Sequence, residues 1–177
     1  DSLAWLLATS RDDAIRDGTE ALHWAERVAQ ASGYQRPEFL DTLAAAYAEA
    51  GRYEEAIRWQ TAAVELAAHW RVVELYERVL QIAMDGGGDA ELRAAATRAL
   101  GSLGNKRTIA LLKVMAGPKD NPQPAAVAAM LDLDAKEAAK STASMLRSIK
   151  DANAMGEILG DFAPHEGASA MLAEELS

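Results

Sequence analysis

The feature that most constrains this chain is where its sequence is interrupted. Glycine, proline and Asx residues recur at short intervals, and the stretches between them are alanine- and leucine-rich and of helix length. Such residues favour helix at nearly every position. Helices this short gain their stability from packing an apolar face on neighbours rather than from propensity. The expected helices are Ser2–Thr9, Gly18–Ser32, Pro37–Ala50, Tyr53–Ala68, Trp70–Met84, Ala90–Leu103, Lys106–Ala116, Pro124–Leu131, Ala135–Ser148, Ala152–Phe162 and Glu166–Glu175. No alternating β-branched run is present, so no strand is expected. The fold class is therefore all-α.

Several helix starts have a mechanism. Pro37 and Pro124 suit a first helical turn, where a missing N–H costs nothing. Asp134 followed by Glu137 has the form of a capping box, and Asp89, Asn105 and Asp151 suit N-caps. Gly51, Gly101 and Gly104 suit helix ends or tight turns between helices. Antiparallel pairs joined this way are the units of an α-solenoid. From Tyr53 to Asp85 there is no Gly or Pro, so this stretch reads either as one continuous helix or as two that part near Ala68-His69. Gly86-Gly87-Gly88 then makes a definite break.

The segment Asp41-Thr-Leu-Ala-Ala-Ala-Tyr-Ala-Glu-Ala-Gly-Arg-Tyr-Glu-Glu-Ala-Ile-Arg-Trp-Gln-Thr-Ala-Ala-Val-Glu-Leu resembles a tetratricopeptide repeat. Leu43, Ala44, Tyr47, Gly51, Tyr53, Ala56 and Ala63 fall at its packing and turn positions. Small Ala44 and Ala56 allow close helix approach, and Tyr47 fills a groove between helices. Residues Leu3–Ser32 read as a preceding repeat, with Ser10–Asp17 in place of the usual tight turn. Leu92-Arg-Ala-Ala-Ala-Thr-Arg-Ala-Leu-Gly-Ser-Leu-Gly-Asn with Ala110-Leu-Leu resembles a HEAT repeat, and the two later helix pairs resemble degenerate copies. The resemblances imply a right-handed α-α superhelix. Residues 1–68 would be a tetratricopeptide-like module, 69–88 a connection, and 89–177 a HEAT-like array. Every lysine lies at or after Lys106, a composition shift that fits two origins for the halves, natural or engineered.

The chemistry is defined mainly by exclusion. There is no cysteine, which removes disulfides, thiolate nucleophiles and cysteine-ligated zinc. The histidines His23, His69 and His165 are too far apart in sequence for a two-histidine helical metal site, and none lies in a recognised catalytic motif. His165-Glu166 is a single His-Glu pair, read as a helix start. Asp12, Asp13 and Asp17 lack the spacing of a calcium loop and read as a solvated loop. The run Gly101–Arg107 lacks phosphate-loop spacing and reads as a helix–helix turn. No enzyme, cofactor or metal is expected.

A formal net charge of −9 repels phosphate backbones, so nucleic acid is not an expected partner. No apolar run is long enough to span a bilayer. The expected compartment is the cytoplasm by default, and a cysteine-free chain is equally compatible with periplasm. Trp5, Trp24, Trp59 and Trp70 cluster in the first half, where most are expected in the core.

By the tetratricopeptide resemblance, ligand-facing positions lie on the first helix of a repeat. Here these are Glu38, Asp41, Ala45, Ala48 and Glu49. With three acids among them, the implied partner is a basic or polar peptide segment. The leading reading is thus a non-enzymatic protein-binding solenoid with some weak self-association through exposed ends. Two alternatives stand beside it: an architectural spacer or engineered fusion without a ligand, and an accessory domain of a larger bacterial enzyme.

Overall fold

The computed structural model describes residues 1–116, 123–147, 152–165 and 167–177. Among them there is no strand; every regular element is helical. The chain divides into two compact units, Asp1–Trp70 and Arg71–Ser177.

The first unit contains α1 (Ser2–Thr9), α2 (Gly18–Ala31), α3 (Pro37–Glu49) and α4 (Tyr53–Trp70). Helix α1 packs on α2 and also on α3, while α3 packs in turn on α2 and α4. The reason the helices fit so closely is that their contact stripes are mostly alanine: Ala4 and Ala8 on α1, and Ala21, Ala25 and Ala29 on α2, all buried. Leu40, Leu43 and Tyr47 supply the bulk from α3, against Ala56 and Ala63 on α4. Gly18 completes the close approach. A Cβ there would sit 2.8 Å from the backbone nitrogen of Ala50 and the carbonyl carbon of Glu49. Gly51, with φ +75, makes the left-handed turn between α3 and α4 that a glycine adopts without penalty.

The second unit holds α5 (Tyr76–Met84), α6 (Ala90–Leu103), α7 (Thr108–Ala116), α8 (Pro124–Leu133), α9 (Ala135–Leu146), α10 (Ala152–Phe162) and α11 (Ala168–Leu176). Its centre is α8, which packs against α6, α7, α9 and α10. That position matches its sequence, apolar nearly all round, with Ala125, Ala126, Val127, Ala129, Met130 and Leu131 buried. Helix α5 lies on α6, and α11 lies on α9. Asp17, Asp89 and Asp134 each accept a backbone N–H at the start of α2, α6 and α9, from Glu20, Leu92 and Glu137.

Four expectations change. The stretch from Tyr53 to Asp85 is two helices rather than one, and the break lies beyond Trp70 rather than at Ala68-His69. Helix α4 runs to Trp70, Arg71 takes left-handed backbone (φ 53), and a 3-10 turn at Val73–Leu75 precedes α5, so the expected helix Trp70–Met84 does not form as one piece. The adjacent β-branched pair Val72-Val73 slightly disfavours helix there, since such residues lose rotamer freedom in a helix. Gly101 is not at a helix end but inside α6. A Cβ there would lie 2.8 Å from the Ala129 carbonyl oxygen and 2.9 Å from its Cα, so the glycine is what lets α6 and α8 cross. Helix α7 starts at Thr108 rather than Lys106, because the Asn105 side chain accepts the Arg107 N–H in a turn outside the helix. His165 lies in the turn before α11, which begins at Ala168. The expected cap Asp151, the helix end at Ser148 and the start at Glu166 lie outside the described residues.

Candidate functional site

Helix α3 is the element on which the candidate residues converge, and its burial pattern sorts them. Leu40, Thr42, Leu43, Ala44, Ala46 and Tyr47 are buried. The remaining side carries Glu38, Asp41, Ala45 and Ala48, all partly buried, and Glu49, which is exposed. Ala45 and Ala48 pack against the alanine cluster of the unit. The five expected positions therefore do share one side of one helix.

The acids on that side are each engaged within the chain. Glu38 receives hydrogen bonds from Arg36, at 3.1 Å from Nη2 to Oε1 and 3.5 Å from Nε to Oε2. The Arg36 hydrogen bond holds the Glu38 carboxyl below the usual carboxylate range, and Glu38 raises the guanidinium in turn. Asp41 Oδ1 accepts from Gln60 Nε2 of α4 at 2.7 Å. Glu49 Oε1 accepts from Arg16 Nε at 3.1 Å, and Arg16 also donates to the Ser10 carbonyl at 3.1 Å and pairs with Asp13.

That arginine explains how the long Ser10–Asp17 connection holds its form. Asp12 takes the Ala14 N–H at 3.0 Å, Asp13 pairs with Arg16, and Asp17 caps α2. Each acid of this cluster has a local structural task.

A second constellation was not legible in the sequence. The Tyr47 hydroxyl donates to Glu26 Oε1 of α2 at 2.9 Å, and the Arg52 guanidinium lies over the Tyr47 ring at 4.6 Å. Burial first, and then Glu26, push the Tyr47 phenol above its ordinary pKa. Nearby in the chain, Tyr34 stacks on Trp59, with ring centroids 5.3 Å apart and planes 14° from parallel. Nothing in residues 26–59 spaces these aromatics as a motif; three helices and two turns bring them together.

The tryptophans depart from expectation. None of the four is fully buried: Trp24 and Trp59 pack partly against the cluster, whereas Trp5 and Trp70 are exposed. Interfaces built from alanine bring helix backbones so close that an indole ring fits only at their rim. Leu3 and Leu6, each about half exposed, stand with Trp5 on the outer side of α1, while the buried side of that helix is Ala4 and Ala8.

Among the described residues, no three His, Asp or Glu side chains gather as a metal site, and no helix is long and apolar enough to cross a membrane. His23 and His69 each meet the edge of the tryptophan that follows them in sequence. No protein-family model matches the chain, and no match to it is found among curated proteins or solved structures.

Proposed function

We propose that the chain is a non-enzymatic helical-repeat protein, a tetratricopeptide-like unit followed by a HEAT-like one, that holds a basic or polar protein segment on the side of α3 that carries Glu38, Asp41, Ala45, Ala48 and Glu49. The observation that carries this reading is the packing of helices two apart in the chain. Helix α1 lies on α3, α6 on α8, α8 on α10 and α9 on α11. Contacts between alternate helices, added to those between successive ones, are what stacked helix pairs produce. In the first unit they set small Ala45 and Ala48 among the carboxylates of Glu38, Asp41 and Glu49, a strip that favours a cationic partner.

The test is a fluorescence-anisotropy titration of arrayed peptides rich in Lys and Arg, run on the native chain and on Glu38→Gln/Asp41→Asn/Glu49→Gln. The proposal expects saturable binding that weakens at least about tenfold in the neutralised variant, with thermal unfolding of both recorded alongside. Equal binding by the two chains removes α3 as the site.

The second reading is an architectural spacer with no ligand. It draws support from the intramolecular hydrogen bonds that Glu38, Asp41 and Glu49 already make. Absence of saturable binding to any arrayed peptide favours it.

A further inference from the structure

The first unit repeats itself at an offset of forty residues. Asp1-Ser-Leu-Ala-Trp-Leu-Leu-Ala-Thr, which forms α1 and its cap, matches Asp41-Thr-Leu-Ala-Ala-Ala-Tyr-Ala-Glu on α3, with Asp, Leu and two Ala in common. The two helices pack on one another. Arg16 holds their C-terminal ends together, since it donates to the Ser10 carbonyl just past α1 and to Glu49 at the end of α3. Gly18 comes against the backbone of Glu49 and Ala50 at that same end. Trp5 and Ala45 each stand five residues before these ends, about 7.5 Å back along their helices. They are therefore level with one another, as Thr9 is with Glu49.

Helical periodicity sets the side as well as the level. Ala4 and Ala8, both buried, form the seam of α1. Trp5 and Thr9 form the next row, and Thr9 Oγ1 donates to the Trp5 carbonyl at 2.7 Å. Their counterparts Ala45 and Glu49 belong to the strip that also carries Glu38 and Asp41. Trp5 is 37% exposed. The duplication thus sets one indole at the edge of an acidic strip, at the level where α3 has only a methyl group. The unit as a whole carries twelve acids against six arginines and no lysine, so its field favours cations. Arg36 and Arg16 offset Glu38 and Glu49, whereas Asp41 accepts from the neutral Gln60, a bond that leaves its charge in place.

We infer that Trp5 is the aromatic wall of the α3 strip, and that the segment held there presents arginine to it, with the guanidinium stacked on the indole and drawn by the Asp41 carboxylate. This assignment rests on the reading of α3 as a binding surface, and it names the side chain that surface selects. Arginine suits both partners, because its planar cation stacks on aromatic faces and also bonds carboxylate oxygens. A lysine ammonium is more strongly hydrated and acts as a point charge.

A double-mutant cycle tests this by fluorescence anisotropy, with an end-labelled oligoarginine peptide and its citrulline counterpart, which is neutral and nearly the same shape. The chains are the native protein, Trp5→Leu and Glu38→Gln/Asp41→Asn/Glu49→Gln, with thermal unfolding of each recorded. The expected result is oligoarginine binding about two- to fivefold weaker in Trp5→Leu, with the citrulline peptide bound weakly and equally by both chains. Oligoarginine binding that weakens in the triple variant but not in Trp5→Leu overturns the role of Trp5 and leaves the α3 reading standing. An equal loss for both peptides in Trp5→Leu also overturns it, since the indole then offers apolar area alone. If a lysine-rich peptide binds and oligoarginine does not, the arginine assignment alone falls. Binding of neither, or binding unchanged in every variant, overturns the α3 reading along with it. Should Trp5→Leu lower the melting temperature, Trp5→Phe takes its place. The preference for arginine over citrulline must still drop there, because phenylalanine is the weaker cation–π face, and an unchanged preference overturns the inference.

Discussion

The Tyr47 hydroxyl on α3 donates a hydrogen bond to Glu26 Oε1 on α2 across 2.9 Å, with Arg52 over the ring. One side chain thus supplies bulk, a part-buried polar link and a cation–π contact at a place where the surrounding stripe is alanine. Truncation of Tyr47 to Ala should cost about 3 kcal/mol, as other large-to-small core changes do. Tyr47→Phe keeps the ring and should cost about 1 kcal/mol. Urea unfolding of the three chains separates the two contributions; a loss under about 1 kcal/mol for Tyr47→Ala would mean the ring is not packed as described.

The same tyrosine has a signature in alkali. Its pKa is raised in the folded chain, by burial first and by Glu26 second. The folded state therefore keeps a proton that the unfolded state gives up, so the associated stability is intact below the unfolded value near 10 and falls as pH rises through the raised one. Above about pH 10 the native chain should lose stability faster than Tyr47→Phe, which has no phenol proton to lose. Denaturant midpoints for the pair at neutral and alkaline pH give the comparison; parallel loss would rule out this titration.

Two kinds of helical glycine should respond oppositely to alanine. At Gly101 a Cβ meets the Ala129 backbone at 2.8 Å and 2.9 Å, so Gly101→Ala must part α6 from α8 and should cost about 1–3 kcal/mol despite its better helix propensity. At Gly156 and Gly160 in α10 a Cβ meets nothing within 4 Å among the described residues. There the propensity gain stands alone, and each change should add up to about 1 kcal/mol. Calorimetric melting of the three variants checks both signs.

Thr142 is fully buried in α9, and its hydroxyl has no hydrogen-bond partner among the described residues. An unmet buried hydroxyl costs about 1–3 kcal/mol, and valine has the same shape without it. Thr142→Val should raise the melting temperature by several degrees, whereas Thr97→Val should not, because Thr97 Oγ1 donates to the Arg93 carbonyl at 2.8 Å.

Helix starts were legible where one residue does the work. Pro37, Pro124, Asp89 and Asp134 act within their own first turn, so local sequence suffices. Gly101 was not, since the same residue that ends a helix also admits a crossing partner, and Ala129 lies far along the chain. The α3 face was legible as a helical side but not in the partners its acids take. Arg36, Gln60 and Arg16 reach its acids from three separate places. The stop at Trp70 was missed by two residues because it falls where neither glycine nor proline marks it.

The alanine stripes of α1 and α2 also determine which inherited changes the fold can absorb. Loss of a methyl group from Ala4, Ala21, Ala25 or Ala29 leaves a void smaller than a water molecule, while any larger side chain must push two backbones apart. Random variation should therefore thin these positions toward glycine more readily than it enlarges them. A lineage of such chains would drift in its rims and turns while the seams stayed small.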